Sequence, residues 1–203
     1  MEAELTKSSD ALTTGGENLP ERGVTLLEVS LASFVLTTGL LASALTMVVG
    51  VSSTYKSQQR LIAKQKARET LESVFTARNT QHITYNQIRN VSDTTVYTPP
   101  VAGIFVDGWQ PIKSAGPDGI VNTADDTDPI ETITLPGADG IVGTSDDVTV
   151  QLTTYERRIT IANVLLPDGN PDPDIRRLTV EVRYKVRNNW ETVAFISRIS
   201  RFS

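Results

Sequence analysis

Six aspartates stand in two copies of one eleven-residue phrase. Gly116–Asp126 reads GPDGIVNTADD and Gly137–Asp147 reads GADGIVGTSDD; eight of the eleven positions are identical, and the copies start 21 residues apart. Carboxylates closely spaced around Asp-Gly turns offer hard oxygen donors, the ligands a calcium ion takes in sets of about six to eight. Asp118, Asp125 and Asp126 are the candidate ligands in the first copy, and Asp139, Asp146 and Asp147 in the second, with Thr123 and Thr144 as helpers or as turn-holders. Neither copy has EF-hand spacing, which ends in a bidentate Glu. The plainer alternative is a pair of metal-free acidic turns, since Asp and Gly are common turn residues. Duplication in a chain without cysteine favours calcium, because an exported domain lacking disulfides needs another staple.

A second group with chemical potential is Glu28, one carboxylate at the edge of a long uncharged run. No charged residue occurs from Val29 to Tyr55. As a helix, Val29–Val51 would be roughly 35 Å long, enough to cross a hydrocarbon layer of about 30 Å. Ser33, Thr37, Thr38, Ser43 and Thr46 interrupt its apolarity, but hydroxyls on a helix can bond back to the carbonyl one turn earlier. Gly39, Ala42, Ser43 and Ala44 suit close helix–helix approach. A carboxylate at the lipid boundary calls for a partner, although a first-turn acid also suits a helix N-terminus. A cleaved secretory signal fits less well: the preceding 22 residues are net acidic, and the apolar run exceeds the 7–15 residues or so of that class.

Glu21-Arg22-Gly23-Val24-Thr25-Leu26-Leu27-Glu28 leads into this run. It resembles the prepilin cleavage and methylation motif of the type IV pilin and type II secretion pseudopilin family: a basic residue, Gly, the cut, a hydrophobic first mature residue, Thr-Leu, then Glu. Gly23, Thr25, Leu26 and Glu28 match residue by residue. Val24 stands where Phe is commoner, and the leader is longer than in the best-known pilins. The resemblance implies removal of residues 1–23 by a prepilin peptidase, N-methylation of Val24, and assembly through Thr25, Leu26 and Glu28. The new amine at Val24 of one subunit would then pair with Glu28 of a neighbour. The implied partners are other pilin or pseudopilin subunits, the peptidase, an inner-membrane assembly platform and the membrane itself. The implied location is the bacterial inner membrane, single-pass, with the C-terminal domain periplasmic or extracellular, and extraction into a filament on assembly. The doubled Gly-x-Asp-Gly phrase likewise resembles the calcium loop of major pseudopilins, here placed before the last strands. The charge rule for membrane proteins points the other way, because Lys56, Arg60, Lys64, Lys66 and Arg68 follow the span while the leader is acidic.

The elements that must carry these groups follow from periodicity. No proline lies between Pro20 and Pro99, so the helix can run on through Thr54–Arg78. There Leu61, Ile62, Ala63, Ala67, Leu71, Val74 and Phe75 form an apolar stripe that needs a cover. Tyr155–Ala162, Arg177–Val186 and Glu191–Ser200 alternate or are β-branched, which predicts three strands. Leu166–Asp174 is the expected loop between the first two, and Asn188-Asn189 the turn between the last two. In the middle strand Leu178, Val180, Val182 and Tyr184 share one face. The predicted class is α+β, a pilin-like fold with one long N-terminal helix on an antiparallel sheet. Its segments are 1–23 leader, 24–53 membrane and assembly helix, 54–92 amphipathic helix and linker, 93–152 acidic duplicated region, and 153–203 meander.

Composition limits the function classes. A net charge of −5 gives no reason to expect nucleic acid. The absence of cysteine excludes disulfides, iron–sulfur clusters and thiolate zinc sites, and argues against a major type IV pilin. With one histidine, no phosphate loop and no paired carboxylates outside the turns, no enzyme is expected and no catalytic residue is named. His82 reads as a solvated loop residue, and Trp109 and Trp190 as buried packing residues. Two readings remain: a minor pilin or pseudopilin, or a membrane-anchored, calcium-dependent binding or adhesion module.

Overall fold

The computed structural model describes residue 23 and residues 25–202, without the side chains of Thr127 and Asp128. The expectations for the leader and for Val24 lie outside the described residues. One helix, α1, runs from Leu26 to Asn79. The chain divides along it into two compact units, the second beginning at Gly50.

In the first unit α1 is long and apolar enough to cross a membrane, by length and composition. Its large side chains are exposed on all sides, Leu31, Phe34, Leu40, Leu45 and Val48 among them. A helix hydrophobic all round is suited to a core or a membrane and has nothing in water to cover it. Every interrupting hydroxyl bonds back as expected: Ser33 donates to the Val29 carbonyl, Thr37 to Ser33, Thr38 to Phe34, Ser43 to Gly39 and Thr46 to Ala42, at 2.8–3.0 Å.

In the second unit α1 turns one face inward: Gln59, Ile62, Ala63, Ala67, Thr70, Val74 and Ala77 are buried. Two expected stripe residues, Leu71 and Phe75, are partly buried, but Leu61 is 67% exposed. It is one position from Ile62, which on a helix is about 100° around the axis. Gln81, at φ 59°, ends the helix in a left-handed residue, and the His82 and Ile83 amides donate back to the Ala77 carbonyl. His82 is exposed.

Among the described residues eight strands follow: β1 Gln110–Pro111, β2 Lys113–Ser114, β3 Thr127–Ile130, β4 Thr132–Leu135, β5 Val148–Gln151, β6 Tyr155–Leu165, β7 Pro171–Val186 and β8 Asn189–Ser200. The main sheet is antiparallel in the order β1-β6-β7-β8, while β2-β3 and β4-β5 form two small two-stranded sheets. Leu178, Val180, Val182 and Tyr184 face inward as expected and pack in one core with Ile62, Ala63, Ala67 and Val74 of α1. The fold is α+β, one long helix against an antiparallel sheet.

Three local expectations are corrected. The loop between β6 and β7 shrinks to residues 166–170, because Pro171 and Pro173 lie inside β7. β7 pairs with β8 only from Ile175 onward, so its first residues have a neighbour on one side only, where proline is tolerated. The final turn is Arg187-Asn188, one residue early, with Arg187 at φ 57° and Val186 paired to Asn189. Neither tryptophan is buried. Trp109 lies between the guanidinium groups of Arg158 and Arg183, 4.5 and 4.4 Å from its ring centre, and Arg183 also covers Trp190 at 4.5 Å. Arg158 pairs with Glu181 and Arg183 with Glu156, so the solvent face of the sheet carries an alternating cation–aromatic ladder.

Leu178→Ala, on the inner face, should cost about 2–5 kcal/mol in denaturant unfolding. Ile196→Ala, on the outer face, should change stability by less than about 0.5 kcal/mol. Equal losses from the two variants would overturn the face assignment.

Candidate functional site

The first candidate region is the start of α1. Thr25 precedes the first helical residue, and its hydroxyl oxygen accepts the Glu28 amide at 3.3 Å while its carbonyl accepts the Glu28 and Val29 amides. Thr-Leu-Leu-Glu therefore works locally as an N-cap, with the acid in the first turn, where the helix dipole favours it. Leu26, Leu27 and Glu28 are exposed.

The second region is the pair of acidic turns, which have one geometry. In the first copy the Gly119 amide donates to the Gly116 carbonyl, the Ile120 amide to Asp118 Oδ1, the Asp118 amide to Asp125 Oδ2 and the Asn122 amide to Asp126 Oδ2. The second copy repeats each bond 21 residues on, through Gly140, Ile141, Asp139 and Gly143. Each opening glycine is required. A Cβ at Gly116 would lie 2.3 Å from the Asp125 carbonyl oxygen, and one at Gly137 would lie 2.2 Å from that of Asp146. The threonines are fasteners: Thr123 donates to Asp125 Oδ1 at 2.6 Å and Thr144 to Asp146 Oδ1 at 2.7 Å.

The copies differ in what surrounds them. Asp126 is half-buried and faces Arg157, at 3.5 Å. Arg157 is buried on β6 and also reaches Thr70 of α1, so the first turn, the helix and the sheet meet at one guanidinium. Asp147, its counterpart in the second copy, meets no such cation among the described residues, and its Oδ1 is screened from solvent without a hydrogen-bond partner there. Ile120 is 1% exposed, whereas Ile141 is 60% exposed.

For calcium, the oxygen-only donors are of the right kind. Their lone pairs are largely directed at backbone amides and threonine hydroxyls. No group of three His, Asp or Glu side chains converges among the described residues.

No motif marks Arg157, Asn90 or Arg176, yet they hold the region together. The Asn90 side chain donates to the Ile159 carbonyl and accepts the Ile161 amide, continuing the β6 ladder where β1 has ended. Arg176, buried on β7, donates to the Tyr85 and Ile88 carbonyls and to the Tyr97 hydroxyl. Period-two alternation does place Arg157 on the inner face with Tyr155 and Ile159. Nothing local signals Asn90.

No protein-family model, no curated protein and no solved structure matches the chain.

Neighbouring aspartates should titrate on opposite sides of the ordinary value. The Thr123 hydroxyl holds Asp125 below 3.8, and the Thr144 hydroxyl does the same for Asp146. Burial pushes Asp126 above 3.8, against the opposing pull of the Asn122 amide and Arg157. Asp125 and Asp146 thus add stability that is complete above the unfolded value and is lost as pH falls through the depressed folded value. For Asp126 the sign reverses: stability falls as pH rises through its raised folded value. Carboxyl NMR titration checks the order. Thr123→Val should move the Asp125 midpoint up, and Arg157→Met should move that of Asp126 further up.

Proposed function

We propose that this chain is a structural subunit of a type IV pilus or type II secretion filament, a minor pilin or pseudopilin with no chemistry of its own. The observation that carries the reading is the phrase from Gly23 to Glu28, set directly before an uncharged helix that continues into the amphipathic half of α1 beneath the sheet. Processing after Gly23 creates an amine at Val24, one turn from Glu28. A carboxylate in lipid is costly unless paired. The amine of one subunit meets Glu28 of the next, and that pairing sets the axial register of the bundle. The apolar first part of α1, uncovered among the described residues, is then covered by lipid before assembly and by neighbouring helices after it. The prepilin peptidase and an inner-membrane assembly platform are the proposed partners, and the domain after α1 is proposed to lie outside the cytoplasm.

The Thr25 cap favours a second reading. Thr-Leu-Leu-Glu would also begin an ordinary anchor helix, leaving a membrane-held binding module that never enters a filament. N-terminal mass analysis separates the two: the filament reading expects a chain beginning at methylated Val24, and an intact leader would remove it. Processed Glu28→Ala should fall out of filaments, as scored by subunit content of sheared fibres. A reporter fused at the C-terminus should be active outside the cytoplasm.

Calcium belongs to this proposal on donor chemistry alone. The expected outcome is a Tm that rises with calcium and returns on chelation. An unchanged Tm at millimolar calcium, the weak end of extracellular sites, takes the ion out of the proposal.

A further inference from the structure

The two acidic turns are one motif in two environments, and the difference points to a partner. In the first copy Ile120 is in the core and Val121 is partly exposed. In the second, Ile141 and Val142 are 60% and 61% exposed. They form a small apolar tip flanked by Asp139, Asp146 and Asp147. Among the described residues, none of these three acids is paired with a cation. A turn whose twin buries its isoleucine and partly covers its valine therefore presents both side chains to solvent beside unpaired acids.

A surface of the opposite character lies elsewhere in the same unit. Lys56, Arg60, Lys64 and Arg68 recur every fourth residue and form a basic row along α1. Lys64 and Arg68, with Gln65, Leu61 and Phe195, line a groove of about 480 Å³ between α1 and β8. Leu61 is the residue that fell off the buried stripe, and it supplies much of the groove's apolar wall. Lys64 and Arg68 have no carboxylate partner among the described residues. β8 is the edge of the main sheet, so among the described residues no further strand closes the groove.

We propose that the second acidic turn, 137–147, docks in the Leu61–Phe195 groove of a second copy of this chain. Ile141 and Val142 enter the apolar floor, and Asp139 and Asp146 meet Lys64 and Arg68. Tip and groove are different patches of one molecule, so the contact is heterologous and propagates from copy to copy. The patch is far below the roughly 1,000 Å² expected of a stable interface. It counts only where another interaction already holds subunits side by side, and here the inference rests on the filament reading. Assembly through α1 raises the effective concentration that a weak contact needs.

The native chain has no cysteine, which makes pairwise cross-linking specific. Full-length Val142→Cys and Gln65→Cys chains, differently tagged, are co-expressed and treated in membranes with a bismaleimide, with EDTA present to keep divalent cations off the acids. The expected result is a mixed-tag adduct several-fold above that of Val142→Cys with Lys185→Cys on the outer sheet face. Lys64→Glu with Arg68→Glu on the groove chain should lower it roughly fivefold, the scale of two exposed ion pairs. Raising salt from about 0.1 M to about 1 M should lower it as well, since screening shortens from about 10 Å to about 3 Å. Leu40→Cys self-cross-linking in the same membranes reports α1 association separately. A Leu40 adduct without excess Val142–Gln65 adduct overturns the docking and leaves the filament reading standing. Loss of both overturns both. Capture of Val142→Cys on a different protein in place of its own copy overturns the choice of partner.

Discussion

Packing of the second half of α1 against the inner face of the sheet, in one shared core, is the constraint from which the rest of this domain follows. Ala63 and Ala67 are wholly buried and belong to the same core as Leu178, Val180 and Val182. Larger side chains in their places would force the layers apart and open voids that cores do not tolerate. Because both layers are committed to this contact, the chain between them must run around its margins. The long connection from Thr80 to Thr154 does so, as turns, the short edge strand β1 and two small two-stranded sheets.

Those margins are held by buried cations as well as by apolar packing, since Ile83, Ile88, Phe105, Ile112, Ile120 and Leu152 are buried in the same core. Arg89 is buried, stacks on Tyr97 and donates to the carbonyls of Asn86, Thr95 and Val101. Arg176 does the same for Tyr85 and Ile88. Arg157 joins α1, β6 and the first acidic turn. Each guanidinium has several donors in a rigid fork, so one side chain can satisfy several loop carbonyls that would otherwise be buried without partners. In a connection short of strand and helix ladders, this is how backbone groups are satisfied. It also explains why the first acidic turn is anchored and the second is not: only the first lies within reach of Arg157.

The acidic turns show how far motif chemistry can be read. Their carboxylates were candidates for an ion, and they are first of all closures for the turn, each accepting backbone amides that the chain reversal leaves unpaired. The strongest local requirements are steric, at Gly116 and Gly137, where a side chain has no room. The same duplication that suggested two equivalent ion sites gave two unequal structures, because the tertiary surroundings of the copies differ. Environment makes one copy part of the core and leaves the other at the surface.

The apolar helix, its hydroxyl back-bonding, the α+β class, the existence of three strands with the inward face of the middle one, and the existence of two like turns were legible in the sequence. They depend on short-range periodicity and on composition, which act within a few residues. Element edges were less legible. Pro171 and Pro173 sit in a strand because β8 stops short of them, a fact about a residue some 30 positions away. The boundary of the helical stripe, with Leu61 outside and Thr70 inside, depended on which face of α1 the rest of the domain covers. Only the tertiary structure could decide that Arg157 faces Asp126 and not Asp147, that the tryptophans stack on arginines in the open, and that Ile120 is covered while Ile141 is bare. These are contacts between residues far apart in the chain, and no local pattern encodes the distance that folding closes between them.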